Sequence, residues 1–316
     1  MQNNRQRNAP LLPLSKFRVT YSYQEPLRLP DYPGSAWRGA FGAALKKSVC
    51  VVRNIPCTEC LLKTSCAYSY LFETPPPANA EKMRKYNATP HPFVFEFDEG
   101  GRSELGVYQF NLIVFAHGLR FFPYIVYALQ KAGSEGIGGH RQLFNLTTVE
   151  QQLSDHSFKV VYEDNNLQLL ALPRSEEFPE MPDRIEIVIQ SPMRIKQDGK
   201  NTSQVAFSFE VFFGNLLRRI SMLSYFHTDT PLDIDFRELT LRAKTVQFNN
   251  SKLRWYDWTR YSSRQQTEMI MGGVMGSVYL EMSDLECFWP YLWLGQWTHV
   301  GKGTSMGMGA YKIVAL

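Results

Sequence analysis

The last eighteen residues, HVGKGTSMGMGAYKIVAL, combine backbone freedom with groups that can hold a phosphate. Gly301, Gly303, Gly307 and Gly309 alternate with Lys302, Thr304 and Ser305. Glycine reaches φ > 0 and lets the main chain approach a ligand closely, so exposed N–H groups here could cradle an anion. A nucleotide-binding P-loop needs G-x-x-x-x-G-K-[ST] ahead of a helix. In this run Gln296 stands where the first glycine belongs, Gly303 follows Lys302, and a strand comes next. That chemistry is excluded. A tight turn into an edge strand would use the same residues without any ligand.

A second group is C-x6-C-x2-C-x5-C, formed by Cys50, Cys57, Cys60 and Cys66. Four thiolates at this spacing can close a tetrahedral shell on a structural Zn²⁺. An iron–sulfur cluster also takes four thiolates, and unliganded reduced cysteines are the third reading. With four protein ligands no position stays open for water, so a catalytic metal is not expected. Cys287, in LECFWPYLWL, is expected in the core.

Six histidines can act as acids or bases. His140 lies in the glycine-containing stretch GSEGIGG–HR, and His299 immediately precedes the C-terminal run. His117 is expected to pack at a helix start, with His91, His156 and His227 in loops or on the surface. Tyr256–Gln265 (YDWTRYSSRQ) gathers aromatics, hydroxyls and the cations Arg260 and Arg264. Such a set can stack bases and hold phosphates, as single-stranded RNA requires; a loop with Trp258 turned inward would look the same.

Those residues must be carried by ordered elements. Alternation predicts a strand at Lys16–Gln24. A helix is expected from Ser35 as its cap to Ser48, with Trp37, Phe41 and Leu45 on one face. Beyond the cysteines and a proline-rich loop, Thr74–Pro77, strands are expected at Phe93–Phe97 and Val107–Phe115, a helix at Leu119–Lys131 and a strand at Gln142–Thr148. Further strands are predicted at Phe158–Tyr162 and Leu167–Leu172. Leu172–Asp183 is rich in proline and acid and reads as a linker. The second half repeats the pattern: a strand at Arg184–Gln190, a helix at Gln204–Tyr225, strands at Leu239–Phe248 and Ile270–Glu281, a helix from Ser283 to Leu294 and a strand at Ala310–Val314. Two β-α-β-β-α-β units follow, α+β and ferredoxin-like. They span residues 1–172, with the cysteines inserted, and 184–316, joined by 173–183.

The chain has 316 residues, enough for two domains of ordinary size, and is 44% hydrophobic. Thirty-four basic against thirty acidic residues give +4, which permits a nucleic-acid partner without requiring one. No signal-like or membrane-spanning apolar run is present, so a cytoplasmic location is expected.

LPDYPGSAWRGAFGAALKK followed by the four cysteines and SYLFETP, then GIGGHRQLFNL, SPMRIK, YDWTRYSSRQ, GGVMGSVYLE and HVGKGTSMGMGAYKI, occur in that order. Jointly, over nearly the whole chain, they resemble the CRISPR precursor-RNA processing endoribonucleases among the repeat-associated RAMP proteins. The resemblance implies tandem RRM-like domains that bind CRISPR repeat RNA. It implies cleavage by the ribose 2′-OH, leaving a 2′,3′-cyclic phosphate and a 5′-OH without a metal. A base, an acid and a cation suffice for that reaction. Well-studied relatives carry a histidine on or just after the first helix; here Gly34–Ser48 has none. The catalytic candidates are therefore His299, His140 and Tyr32. RNA contacts are expected from Arg38, Lys46, Lys47, Arg141, Arg260, Arg264 and the loop residues Gly301, Lys302, Gly303, Thr304, Ser305, Gly307 and Gly309. A non-catalytic RNA-binding subunit of a CRISPR effector complex, built from the same domains, is the alternative.

Overall fold

The structure is a computed structural model that describes residues 10–74, 89–97, 102–104, 106–175, 177–197, 200–262 and 267–316. Arg264 and the proline-rich segment beyond Thr74 lie outside the described residues. The chain divides into two compact units. The first comprises Leu12–Ser175 with Phe226–Asp229, the second Glu176–Tyr225 with Thr230–Leu316 and, at the start of the described chain, Pro10 and Leu11.

In the first unit the elements are β1 (Leu14–Ser22), α1 (Gly34–Val49), α2 (Ala67–Phe72), β2 (Phe93–Glu96), β3 (Arg102–Glu104) and β4 (Val107–Phe115). A 3-10 turn, Ala116–Phe121, leads into α3 (Phe122–Glu135), and β5 (Asn145–Gln152), β6 (Phe158–Glu163) and β7 (Asn166–Leu167) complete it. The strand order is β2-β4-β1-β5-β6-β7, with β3 also on β4. Every pairing is antiparallel. Within it, β1, β2, β4 and β5 with α1 and α3 form the ferredoxin-like unit. The alternation of β1 turns Phe17, Val19 and Tyr21 inward, all fully buried. Trp37 from α1 stacks on Tyr108, centroids 5.7 Å apart.

The second unit holds β8 (Arg184–Met193), the short β9 (Lys196–Gln197) and β10 (Lys200–Asn201), α4 (Phe209–His227, its last two residues grouping with the first unit) and α5 (Phe236–Ala243). It continues with β11 (Asn250–Ser262), β12 (Thr267–Glu281), α6 (Trp289–Thr298) and β13 (Tyr311–Ala315). Its sheet runs β11-β12-β8-β13, again antiparallel and in the same topology. Phe213 of α4 meets Phe288 edge-on at 4.6 Å, and the Tyr311 hydroxyl donates to Leu292 O at 2.6 Å.

Several expectations are corrected. Residues 239–248 do not form a strand. Leu239 and Leu241 lie on α5, which Asp235 caps by accepting from Glu238 N at 2.9 Å. The loop given as the alternative reading of YDWTRYSSRQ does not hold for its described part, which, through Ser262, is the distal half of β11. Pro33, not Ser35, occupies the cap position of α1, and α6 begins at Trp289, well after Ser283. The strand expected through Leu172 stops at Leu167. The linker read at 173–183 holds the boundary between the two units, after Ser175, and is fastened on either side of it. Arg174 exchanges main-chain bonds with Leu14 at 2.8 and 3.1 Å, while the indoles of Trp289 and Trp293 donate to Pro179 O and Glu177 O at 2.8 and 3.0 Å. His227, expected in a loop or at the surface, ends α4 and is fully buried. Its Nε2 lies 2.8 Å from Pro90 O and its Nδ1 3.0 Å from the Tyr70 hydroxyl. The carbonyl can only accept, so Nε2 carries the proton and Nδ1 accepts from Tyr70. Among the described residues no helix is long and apolar enough to cross a membrane.

Candidate nucleic-acid interface

In the second unit the glycine loop is folded back on itself. Val300 N donates to Gly309 O at 3.0 Å, Gly309 N to Pro192 O at 3.1 Å, and Lys302 N to Arg194 O at 2.8 Å. Met306, Gly307 and Met308 donate to carbonyls of Gly303 and Thr304 within the loop. Ser191 Oγ bridges Gly307 O and Ala310 N at 2.7 and 2.8 Å. The glycines are required by geometry: at Gly301 (φ +93) a Cβ would sit 2.4 Å from Arg194 O. These amides are engaged by the chain itself, so the expected cradle of N–H groups is not what the loop displays. Thr304 and Ser305, expected on phosphates, are buried. Only Lys302 among the loop's cation and hydroxyl residues stands exposed.

His299, a catalytic candidate, is corrected as well. It is completely buried, and its Nδ1 lies 3.2 Å from Met308 O. With φ at +57 it turns the chain out of α6 and braces the loop, and no surface of its ring is open to a phosphate. Beneath it Arg219, buried on α4, donates from Nε to Thr298 O. Burial lowers its pKa to about 9, yet a guanidinium keeps its proton at neutral pH. Its charge sits at the carbonyl end of α6, where a cation is favoured.

Beside the loop two guanidiniums come together. Arg260 of β11 places Nη1 3.4 Å from the Met306 sulfur and Nη2 3.7 Å from that of Met269. Arg194, just after β8, places Nη1 3.3 Å from the Met271 sulfur. Burial, then the neighbouring Arg194 charge, depress the Arg260 pKa. Arg260 Nε is buried without a hydrogen-bond partner among the described residues, and Trp258, two residues earlier, is buried too. Thioether sulfur is a weak acceptor. Among the described residues these two cations face sulfur and not carboxylate, which leaves a concentrated positive potential that an anion can neutralise. Arg194 was not singled out by its residue type or spacing; only its place in SPMRIK pointed to it.

In the first unit His140 and Arg141 occupy the exposed tip of a four-residue turn, Gly138–Arg141. Ile137 and Gln142 close it by reciprocal main-chain bonds of 2.8 and 3.0 Å. The segment before α1 borders this turn: Arg28 N donates to Gln142 Oε1 at 3.1 Å, and a Cβ on Gly138 would touch Pro30 at 4.0 Å. Tyr32 belongs to that segment and is half-buried. The α1 cations already have contacts. Arg38 lies 4.8 Å over the Phe72 ring and Lys46 5.3 Å over Tyr68, while Lys47 pairs with Glu135 at 2.7 Å.

The cysteines lie in a succession of turns between α1 and α2. Cys60 N donates to Cys57 O at 3.3 Å, and Cys66 N to Leu62 O at 2.9 Å. Burial raises the Cys57 pKa, Lys46 opposes this, and Glu73, Cys66 and Cys50 add to it. All four are half-buried. As a donor set they suit a thiophilic ion, although among the described residues no three Cys, His, Asp or Glu stand in a metal-holding arrangement.

Comparison with known proteins agrees with this architecture. Residues 12–174 match the model of the AF_1859_N N-terminal domain, and residues 187–311 match that of the CRISPR-associated endoribonuclease Cas6. The first match covers just over half of the chain, which thus belongs to the AF_1859_N N-terminal domain family, and its second half carries the match to the Cas6 model. An uncharacterized protein of Archaeoglobus fulgidus is 22% identical over 289 residues, covering 90% of this chain and 92% of its own. Among solved structures, one Cas6 product complex matches with a TM-score of 0.58 at 15% identity, over 96% of this chain and 99% of that one. A second Cas6 product complex gives 0.53 at 13% identity, over 96% and 100%. At such identities the likeness is one of fold.

Proposed function

We propose that this protein is a metal-independent endoribonuclease that binds a CRISPR repeat hairpin and cuts the precursor RNA beside it, in the cytoplasm. The observation that carries the reading is the Arg194–Arg260 pair, set on sulfur beside the glycine loop within the Cas6 span. In the proposed reaction a base takes the ribose 2′-OH proton as its oxygen attacks the adjacent phosphorus. The bond to the 5′ oxygen breaks, an acid protonates that oxygen, and a 2′,3′-cyclic phosphate and a 5′-OH result. We assign proton transfer to His140, with Tyr32 as the second candidate, and give His299 a positioning role. Arg194, Arg260 and Lys302 bind phosphates.

Incubation with repeat RNA in EDTA tests the reading. One cut with a cyclic phosphate end supports it, and no binding overturns it. Tight binding without cleavage would establish the second reading, an RNA-binding effector-complex subunit, which the burial of His299 and the lack of a histidine on α1 favour. Arg260→Ala is expected to weaken hairpin binding roughly tenfold across sequences and to reduce the slope of log affinity against log salt by about one. Equal affinity and slope in titrations of both proteins would remove Arg260 from the interface.

We further propose that Cys50, Cys57, Cys60 and Cys66 hold one structural Zn²⁺, which would cross-link the turns between α1 and α2. Metal analysis of purified protein should give one zinc per chain, lost in Cys57→Ser with a fall in Tm. Protein free of metal, with a Tm indifferent to a chelator, would dismiss the ion.

A further inference from the structure

Helix α3 presents a face that neither the fold nor the proposed cleavage chemistry uses. Arg120, in the 3-10 turn that feeds the helix, and Tyr124, Tyr127 and Lys131 follow one another at spacings of four, three and four. Helical geometry puts such positions on one side, spread over about 16 Å. The opposite side carries Phe122, Ile125, Val126 and Leu129 into the core. Tyr124 and Tyr127 are 49% and 53% exposed, which is high for tyrosines of a core-packed helix. Neither is needed to close the core.

The rings and charges are organised. Tyr124 lies 6.5 Å from Phe121, which lies 5.0 Å from Tyr70. Arg120 is close enough to Tyr70 to oppose the rise of its pKa to about 12 that burial causes. Lys131 Nζ is 6.0 Å from the Tyr127 ring centroid. No acid occurs from Arg120 to Lys131. The first acid beyond, Glu135, lies 2.7 Å from Lys47 and 3.8 Å from Lys131. Exposed aromatic faces bracketed by cations, with no acid between them in sequence, match flat bases joined by phosphates; at the Arg120 end Asp229 also acts on Tyr70. Tyrosine and arginine also serve protein interfaces, and that occupant is one outcome of the test.

We propose that this face of α3 binds single-stranded RNA, and that it holds the unpaired flank of the substrate while the hairpin is held elsewhere. The second clause rests on the nuclease reading; the first does not. Binding by the stripe is sequence-tolerant, because every base has a face to stack. The helix runs directly into the turn that carries His140 and Arg141, so a strand lying along it is led toward that turn.

The test uses full-length protein in fluorescence anisotropy with three probes: a repeat hairpin, the same hairpin with a ten-nucleotide single-stranded extension, and a twelve-nucleotide oligouridine. Each extension arm is made on the 5′ and on the 3′ side. The wild type should bind an extended hairpin more tightly than the bare one, and should bind oligouridine. In Tyr124→Ala/Tyr127→Ala the gain from extension and the oligouridine affinity should fall by at least about tenfold, with bare-hairpin affinity unchanged. Tyr124→Phe/Tyr127→Phe should restore both, since stacking needs the ring and not the hydroxyl. Unchanged oligouridine affinity in the alanine variant overturns the proposal, as does a wild type that does not bind oligouridine. A shift in sedimentation with unaltered RNA affinity also overturns it, by making the stripe a protein contact. Failure of the bare hairpin to bind wild-type protein would count against the nuclease reading alone, because oligouridine reads the stripe separately.

Discussion

His140→Ala is expected to lower the single-turnover cleavage rate by about 10²–10⁴-fold, with RNA affinity held within about threefold. The expectation comes from the surroundings of all six histidines. His227 and His299 are fully buried; His91 Nε2 meets Phe72 O at 3.1 Å, and His117 meets Asp229 at 3.2 Å. His140 and His156 remain exposed. His156 caps a hairpin between β5 and β6, its amide donating to Leu153 O at 3.1 Å, with no cation beside it in sequence. His140 is followed by Arg141 on a turn that the Arg28–Pro30 segment borders. Under the proposed function, a phosphate drawn by Arg141 would arrive within reach of the imidazole. His156→Ala is therefore the matched control and should cleave at the wild-type rate. Equal rates in wild type and His140→Ala would leave Tyr32 as the base candidate, and Tyr32→Phe would decide that.

Gly309→Ala is expected to destabilise the protein by on the order of 3–5 kcal/mol, as backbone strain and collision add. The residue has φ +74, and a Cβ there would lie 1.8 Å from Val300 O and 2.8 Å from its carbonyl carbon. Those are main-chain atoms of Val300, the residue whose amide closes the loop by donating to Gly309 O, so no side chain can swing aside. Gly214→Ala provides the contrast. In α4 its added methyl would meet nothing within 4 Å, and alanine's better helix propensity should stabilise by up to about 1 kcal/mol. Urea unfolding of the pair reads both signs. A Gly309→Ala midpoint equal to wild type would show that the loop is not held in the described geometry.

The sequence made visible those elements whose local pattern and tertiary burial agree. β1 alternates because one of its faces is packed by α1 and α3, and α1 shows its four-residue period because Trp37, Phe41 and Leu45 enter one core. Where the two disagree, the pattern misleads. Leu239 and Leu241 alternate on α5 although Asp235 and Glu238, a readable cap, mark a helix. The distal half of β11 pairs with β12 beyond the point where β8 ends, so its charges mimic a loop. The site was legible in its residue types but not in its accessibility. Pro192, Ser191 and Arg194 hold the glycine loop from more than a hundred residues away, and that long-range fastening buries His299, Thr304 and Ser305. Nothing near those positions in the chain foretells it.

The placement of β11 has a consequence for how the molecule behaves in crowded solution. It forms one border of its sheet over thirteen residues, a long row of main-chain donors and acceptors that a strand of another molecule could extend into a shared ladder. Lys252, Arg254 and Asp257 stand exposed along it, and bringing two such borders together would bury or oppose those charges. The charges along this border thus keep one copy from templating the next.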